Sequence, residues 1–60
     1  MLDYEISGYI VYWRRPFAGK IVRRCREFDT EEEAVNFVKD CRIDWVEYRI
    51  EQRRTAIIDF

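Results

Sequence analysis

The sequence contains no histidine, one proline and two glycines in 60 residues. Without histidine, the chain lacks the side chain that most often performs general acid–base catalysis near neutral pH. No hydroxyl or thiol has an evident activating partner either. The sequence also lacks a hydrophobic run long enough to span a membrane. We therefore expect no enzyme active site and no membrane contact.

Cysteine is scarce as well, and the spacing of Cys25 and Cys41 does not fit a metal-binding pair. No loop motif supports an all-carboxylate metal site. We expect two free thiols in a reducing, cytoplasmic setting, with no metal and no cofactor. A Cys25–Cys41 disulfide remains an alternative, because it depends on geometry that the sequence does not show. The N-terminal stretch MLDYEISG has no basic or apolar region of the signal-peptide type, so none is expected.

Aromatic residues make up 17% of the chain and charged residues 38%, with a net charge of −1. The charge is unevenly distributed: residues 4–27 carry six basic and two acidic side chains, and residues 29–42 carry five acidic and two basic ones. A chain of this length (residues 1–60) makes one small domain, and such a domain usually needs tight packing or self-association for stability.

Two strands and a hairpin are predicted in the first half. Residues 4–15 are rich in β-branched and aromatic types on both strand faces, which is typical of a central strand. Residues 20–28 are more polar, as in an edge strand. Pro16 and Gly19 predict the turn between them. Gly8 predicts a bulge or a close backbone approach within the first strand.

The stretch FDTEEEAVNF predicts the start of a helix over residues 31–42. Thr30 and Glu33 have the spacing of a capping box, and the three glutamates occupy the first turn, where the helix dipole favours negative charge. Four apolar residues then recur on one helix face: Ala34, Phe37, Val38 and Cys41. We interpret the glutamates as a helix start rather than as a catalytic or metal-binding cluster.

A third strand is predicted over residues 44–53, where Val46, Tyr48 and Ile50 alternate with polar residues. A helix through Ile43, Val46 and Ile50 is the alternative. The apolar tail, residues 55–60, extends this strand, packs on the core or exchanges between subunits.

These elements predict an α+β fold of the type β-β-α-β, with one amphipathic helix on one face of a three-stranded antiparallel sheet. Because a helix connects the second strand to the third, we expect the third strand beside the first, giving the order 2-1-3. The second face of the sheet then has no covering element. Which face of the first strand the helix covers is left open, and in either case aromatic and arginine side chains, which are enriched at binding hot spots, are expected on the other face. The predicted protein-binding residues are Tyr9, Tyr12, Trp13, Trp45 and Arg49.

The leading functional hypothesis is a small interaction protein that binds and modulates or inhibits a protein partner through this sheet face, with a homodimer as one form. The alternative is a DNA- or RNA-binding module that uses the basic hairpin. Its cations would contact phosphates, while the neighbouring aromatics Tyr12, Trp13 and Phe17 stack on bases. The residues predicted for that role are Arg14, Arg15, Lys20, Arg23, Arg24 and Arg26.

The stretch YWRRPFAGK…REFDTEEEAVNF resembles the arm-type DNA-binding domain of phage and transposon tyrosine integrases. The matching residues are Pro16, Gly19, Lys20, Phe28, Thr30, Glu33 and Ala34, within about residues 9–38. The resemblance implies a phage or mobile-element background and a sheet that enters the DNA major groove, with Arg14, Arg15, Arg23, Arg24 and Arg26 contacting DNA. The acidic helix start and the strand after the helix depart from the family pattern.

Overall fold

The computed structural model describes the backbone of residues 3–57 and the side chains of residues 4–56. The elements, in chain order, are β1 (Asp3–Phe17), β2 (Lys20–Phe28), α1 (Glu31–Cys41), a short 3-10 helix (Arg42–Asp44) and β3 (Glu47–Ile57). The strands form one antiparallel sheet in the order β2-β1-β3. The predicted α+β fold, its β-β-α-β arrangement and its strand order are confirmed.

The hairpin between β1 and β2 closes with a two-residue turn. Ala18 and Gly19 both have positive φ angles, 52° and 76°, which is the backbone of the turn that matches the twist of paired strands. β1 runs two residues further than expected, through Pro16. Pro16 fits there because β1 pairs only with β2 beyond Arg14, so one side of the strand needs no N–H donor.

A β-bulge interrupts β1 next to Gly8. The register between β1 and β3 shifts between Ile6 and Gly8, and a Cβ atom on Gly8 would lie 2.8 Å from the carbonyl oxygen of Phe28. The bulge and the close approach predicted at Gly8 are both confirmed. Because the bulge adds one residue, it reverses the alternation of side chains. Ile6 therefore shares a sheet face with Tyr9, not with Ile10 as the unbroken pattern suggests.

The helix begins where its capping residue predicts. The Thr30 hydroxyl accepts a hydrogen bond from the Glu33 amide at 3.2 Å, and the three glutamates of the first turn are exposed. Ala34 and Val38 are buried on the predicted apolar face. α1 thus lies on the sheet as an amphipathic helix.

The core is small and lies between α1 and the first two strands. Val11, Ala34 and Val38 are its buried residues, and α1 packs mainly on β1 and β2. Cys41 was expected in this core but is exposed. The Trp45 ring packs edge-on against the Phe37 ring, with ring centroids 5.6 Å apart.

The third strand begins later than expected, because residues 42–44 form a 3-10 turn closed by a hydrogen bond from the Trp45 amide to the Arg42 carbonyl (2.9 Å). β3 then continues to Ile57, so the helical alternative is wrong and residues 55–57 of the tail extend the strand. Residues 58–60 of the predicted tail lie outside the described residues.

Candidate functional site

The register divides the side chains between two sheet faces, which we call the helix face and the open face. The helix face carries Tyr9, Val11 and Trp13 of β1, and α1 packs on it. The open face, on the opposite side, carries Ile10 and Tyr12 and has no covering element among the described residues. The side chains of β2 and β3 follow the same alternation.

The five residues predicted to bind a protein partner do not form one surface. Tyr9, Trp13 and Trp45 are partly buried against the core. Trp13 stacks on Trp45 with ring centroids 4.8 Å apart. Tyr12 and Arg49 lie together on the open face, where the Arg49 guanidinium sits 4.7 Å from the centroid of the Tyr12 ring. Only these two of the five remain available on the open face.

Ion pairs cover much of the open face. Their N–O distances are 2.7 Å for Arg14–Glu47, 3.0 Å for Arg53–Glu27 and 3.3 Å for Arg49–Glu51. Five of the six members are exposed and Arg14 is half-buried, so each pair adds little stability. Their main effect is electrostatic. Counting Arg23 and Glu5, the open face carries four arginines and four acidic residues, so a polyanion gains little net attraction from this balanced surface.

Glu47 has the most perturbed environment of the charged groups. A hydrogen bond from Arg14 lowers the pKa of its carboxyl below the ordinary value, and the charges of Arg14, Arg23 and Arg49 lower this pKa further, while partial desolvation opposes them. Arg14 thus contacts this carboxylate directly, while Arg23 and Arg49 act on it through their charge.

The pair Arg53–Glu27 bridges the two outer strands across β1. Arg53 lies opposite Gly8, and Glu27 lies opposite the neighbouring Ile10. Because Gly8 has no side chain, the arginine can cross the central strand there. Sequence reasoning missed this pair, and its only signal was the glycine in an otherwise bulky strand.

The predicted cations lie mainly on one projecting feature, the basic arm, which we define as residues 14–24. It contains five basic and no acidic side chains. Beyond Arg14 the arm has only two strands, because β3 begins at the partner position Glu47. The three β1 residues past this point, 15–17, give a ribbon extension of about 10 Å. The positive charge of the arm therefore lies at the hairpin end of the sheet, away from the acidic first turn of α1.

Two of the six predicted cations already have partners in the fold. Arg14 pairs with Glu47, and the Arg26 guanidinium lies 5.3 Å from the Phe28 ring centroid and 5.2 Å from that of Phe37. The other four are Arg15, Lys20, Arg23 and Arg24. Among the described residues, none of these four has a carboxylate within 4.0 Å. They supply the free positive charge of the arm.

The arm also exposes apolar side chains at its end. Phe17 is 61% exposed and Ile21 is 54% exposed. Phe17 was expected among the aromatics of the basic hairpin, whereas Ile21 was not singled out. The sequence feature that could have predicted the exposure of Ile21 is its position next to the turn, too far from the helix to be covered by it.

Among the described residues, the acidic and thiol groups lie apart from one another. Glu31–Glu33 line the exposed start of α1, and Cys25 and Cys41 are free, exposed thiols on opposite sides of the sheet. Within residues 3–57, no three His, Cys, Asp or Glu side chains are grouped to hold a metal ion. The same part of the chain contains no helix that is long and apolar enough to cross a membrane.

Comparisons with protein-family models, with curated proteins and with solved structures give no match.

Proposed function

We propose that this protein is a non-enzymatic nucleic-acid-binding module that contacts duplex DNA through its basic arm. The observation that carries the proposal is the concentration of cations in the basic arm, which has no acidic side chain. Four of these cations have no carboxylate partner among the described residues, and two of the four, Arg15 and Lys20, lie on the two-stranded end of the arm. Lys and Arg side chains that neutralise phosphates release the counterions of DNA, and this release supplies most of the non-specific affinity. The resemblance to integrase arm-binding domains supports the same function and a mobile-element background.

The shape of the arm favours DNA over RNA as the duplex. The major groove of B-form DNA admits a two-stranded β-ribbon, whereas the major groove of A-form RNA is too narrow for side chains to read. Alternation places Arg23 on the open face and Arg15, Lys20 and Arg24 on the helix face of the arm. Both faces of the arm therefore present cations to the walls of a groove.

The experiment is a salt titration of binding to a fluorescent duplex of about 20 base pairs. Four phosphate contacts predict a slope of about −3.6 for log K against log salt, or roughly a 100-fold loss of affinity from 50 to 200 mM salt. The variant Arg23→Ala/Arg24→Ala removes two contacts and should reduce the slope to about −1.8. Duplex RNA of the same sequence should bind more weakly.

A matched control removes two cations outside the arm. Lys39→Ala/Arg54→Ala changes the net charge by the same amount, and both side chains are exposed. This variant should keep the wild-type slope. Absence of binding at low salt, or an equal loss of slope in the control variant, would contradict the proposal.

The second candidate function is binding and modulation, including inhibition, of a protein partner through the open face. The contact of Arg49 with Tyr12 supports it, because Tyr and Arg are the residue types enriched at binding hot spots. The test is capture of a partner from a lysate by wild type and by Tyr12→Ala. Equal capture by a folded Tyr12→Ala variant would exclude this surface.

A further inference from the structure

The outer edge of β3 is unpaired within the described part of the chain. β3 pairs with β1 on one side only, because the strand order is β2-β1-β3. An edge strand presents a row of free N–H and C=O groups to which another strand can bind. On the helix face, Tyr48 remains 45% exposed and Ile50 36% exposed. Within the described residues the hydrogen-bonding edge thus has no partner strand. Its two apolar side chains stay partly exposed, although the Tyr48 ring packs against Trp45 with ring centroids 5.9 Å apart.

The charges on β3 are complementary to themselves in one antiparallel register. Residues 47–53 read EYRIEQR, with Ile50 at the centre. When two copies pair with Ile50 opposite Ile50, Arg49 of each copy faces Glu51 of the other, and Glu47 faces Arg53. These are four pairs of opposite charge on the open face, and directly opposed pairs of this kind stabilise a sheet.

Neighbouring registers lose this complementarity. A register centred on Glu51 sets Glu51 against itself and Arg49 against Arg53. A register centred on Arg49 sets Arg49 against itself and Glu47 against Glu51. A register centred on Gln52 keeps two opposite-charge pairs but places Ile50 against Arg54. Because like charges directly opposite each other are destabilising, the Ile50 register is the favoured one.

We infer that this protein forms a two-fold symmetric dimer in which the β3 edges of two copies pair about Ile50. The two sheets join into one sheet of six strands, and both helices lie on the same side. In this register Tyr48 of the second copy lies opposite Gln52 and next to Ile50. It thus reaches the groove beside the start of α1, whose lining includes Tyr9, Glu31, Ile50 and Gln52.

The other sheet edge does not allow the same association. Registers of β2 against itself that are centred from Val22 to Arg26 oppose like charges: Arg24 faces Lys20, Arg24 or Arg26, or Arg23 or Arg26 faces itself. This repulsion protects the β2 edge. Association through β3 alone uses the same patch of each copy and therefore closes at the dimer instead of growing into a fibre.

The test uses two single charge reversals. In Glu51→Lys and in Arg49→Glu, like charges face each other twice across the two-fold axis. Each variant should weaken the dimer by at least about tenfold in its dissociation constant, since two attractive pairs become repulsive. Sedimentation equilibrium measures this constant. In the monomer these two side chains pair along the strand at 3.3 Å, so circular dichroism checks that both variants stay folded.

Mixing the two variants gives the decisive result. In the mixed pair, Arg49 faces Glu51 and the introduced lysine faces the introduced glutamate, so an equimolar mixture should regain the wild-type dissociation constant to within about threefold. A wild-type protein that stays monomeric up to about 1 mM would overturn the inference. So would single variants that dimerise like wild type, or a mixture that stays as weak as its components.

A cross-linking experiment tests the register independently. In a Cys25→Ser/Cys41→Ser background, Ile50→Cys should form an intermolecular disulfide, because the two Cβ atoms face each other at the axis. Gln52→Cys is the control, since residues 52 of the two copies lie about 13 Å apart along the strands. Efficient cross-linking at 52 and not at 50 would contradict the register. The basic arm lies outside residues 47–53, so DNA binding and dimerisation can fail separately.

Discussion

Trp13 and Tyr12 are neighbours in sequence and lie on opposite faces of β1, so they make a sharp test of the packing. The Trp13 ring stacks on Trp45 at 4.8 Å and meets the Phe37 ring edge-on at 5.2 Å. Tyr12 contacts the Arg49 guanidinium on the open face. Replacing each residue with alanine therefore removes a core ring in one case and a surface contact in the other.

The expected costs differ severalfold. Truncating a core tryptophan costs about 3–5 kcal/mol, and Trp13 belongs at the lower end because it is only partly buried. Tyr12→Ala should cost about 1 kcal/mol, the range of an exposed cation–π contact with some lost packing. A single small domain of this length has a total stability of about 3–5 kcal/mol. Trp13→Ala should thus keep at most about 2 kcal/mol of stability at 25 °C and be partly unfolded, while Tyr12→Ala keeps most of its stability.

Urea denaturation followed by circular dichroism measures both free energies of unfolding. Equal costs for the two variants, or a cost below about 1 kcal/mol for Trp13→Ala, would refute the assignment of the two faces. The result also decides how binding experiments are read. Loss of partner capture by Trp13→Ala would report unfolding, so Tyr12→Ala is the informative variant on the open face.

Three further predictions follow from local geometry. Gly8→Ala should destabilise the protein by about 1–3 kcal/mol, because the new methyl group would lie 2.8 Å from the Phe28 carbonyl oxygen; a stabilised variant in urea denaturation would contradict this contact. Thr30→Ala should cost about 1 kcal/mol through loss of the helix cap, and an unchanged melting curve would count against that cap. The carboxyl of Glu47 should titrate below its ordinary pKa by NMR and move upward in Arg14→Gln; its stabilising effect should therefore be present above the ordinary pKa and be lost as pH falls through the lowered one.

The helix and the strands could be predicted from the sequence because several local signals agree. The capping threonine and the i, i+3, i+4 apolar positions gave the helix, and the doubly apolar first strand indicated the centre of the sheet. The connection through the helix then gave the strand order. The signals for the helix and the strands each depend on residues that are close together in the sequence, and they agree with one another, which is why the structure bears them out.

The sequence did not show in the same way which side chains lie on which face of the sheet. A strand that is apolar on both faces does not show which one the helix covers, and the bulge at Gly8 reverses the alternation midway. Trp45 looked like a strand residue, but the turn at 42–44 directs its ring onto Trp13. The predicted protein-binding residues therefore lie on two different faces. Most of the predicted cations lie together in the basic arm, which β3 does not cover beyond Arg14.

The symmetric charge pattern of β3 is visible in the sequence, but it indicates pairing between two copies only once β3 is known to be an edge strand. Opposite charges placed evenly about an apolar residue are common on exposed strands. The strand order makes them significant here, since it leaves residues 47–53 free to pair.

The most direct test of DNA binding by the basic arm is an NMR titration of the labelled protein with a 12-base-pair duplex at low salt. We expect the largest amide shifts within residues 14–24, with little change in α1. Shifts centred on α1 or on β3, or no shifts at all, would contradict this expectation.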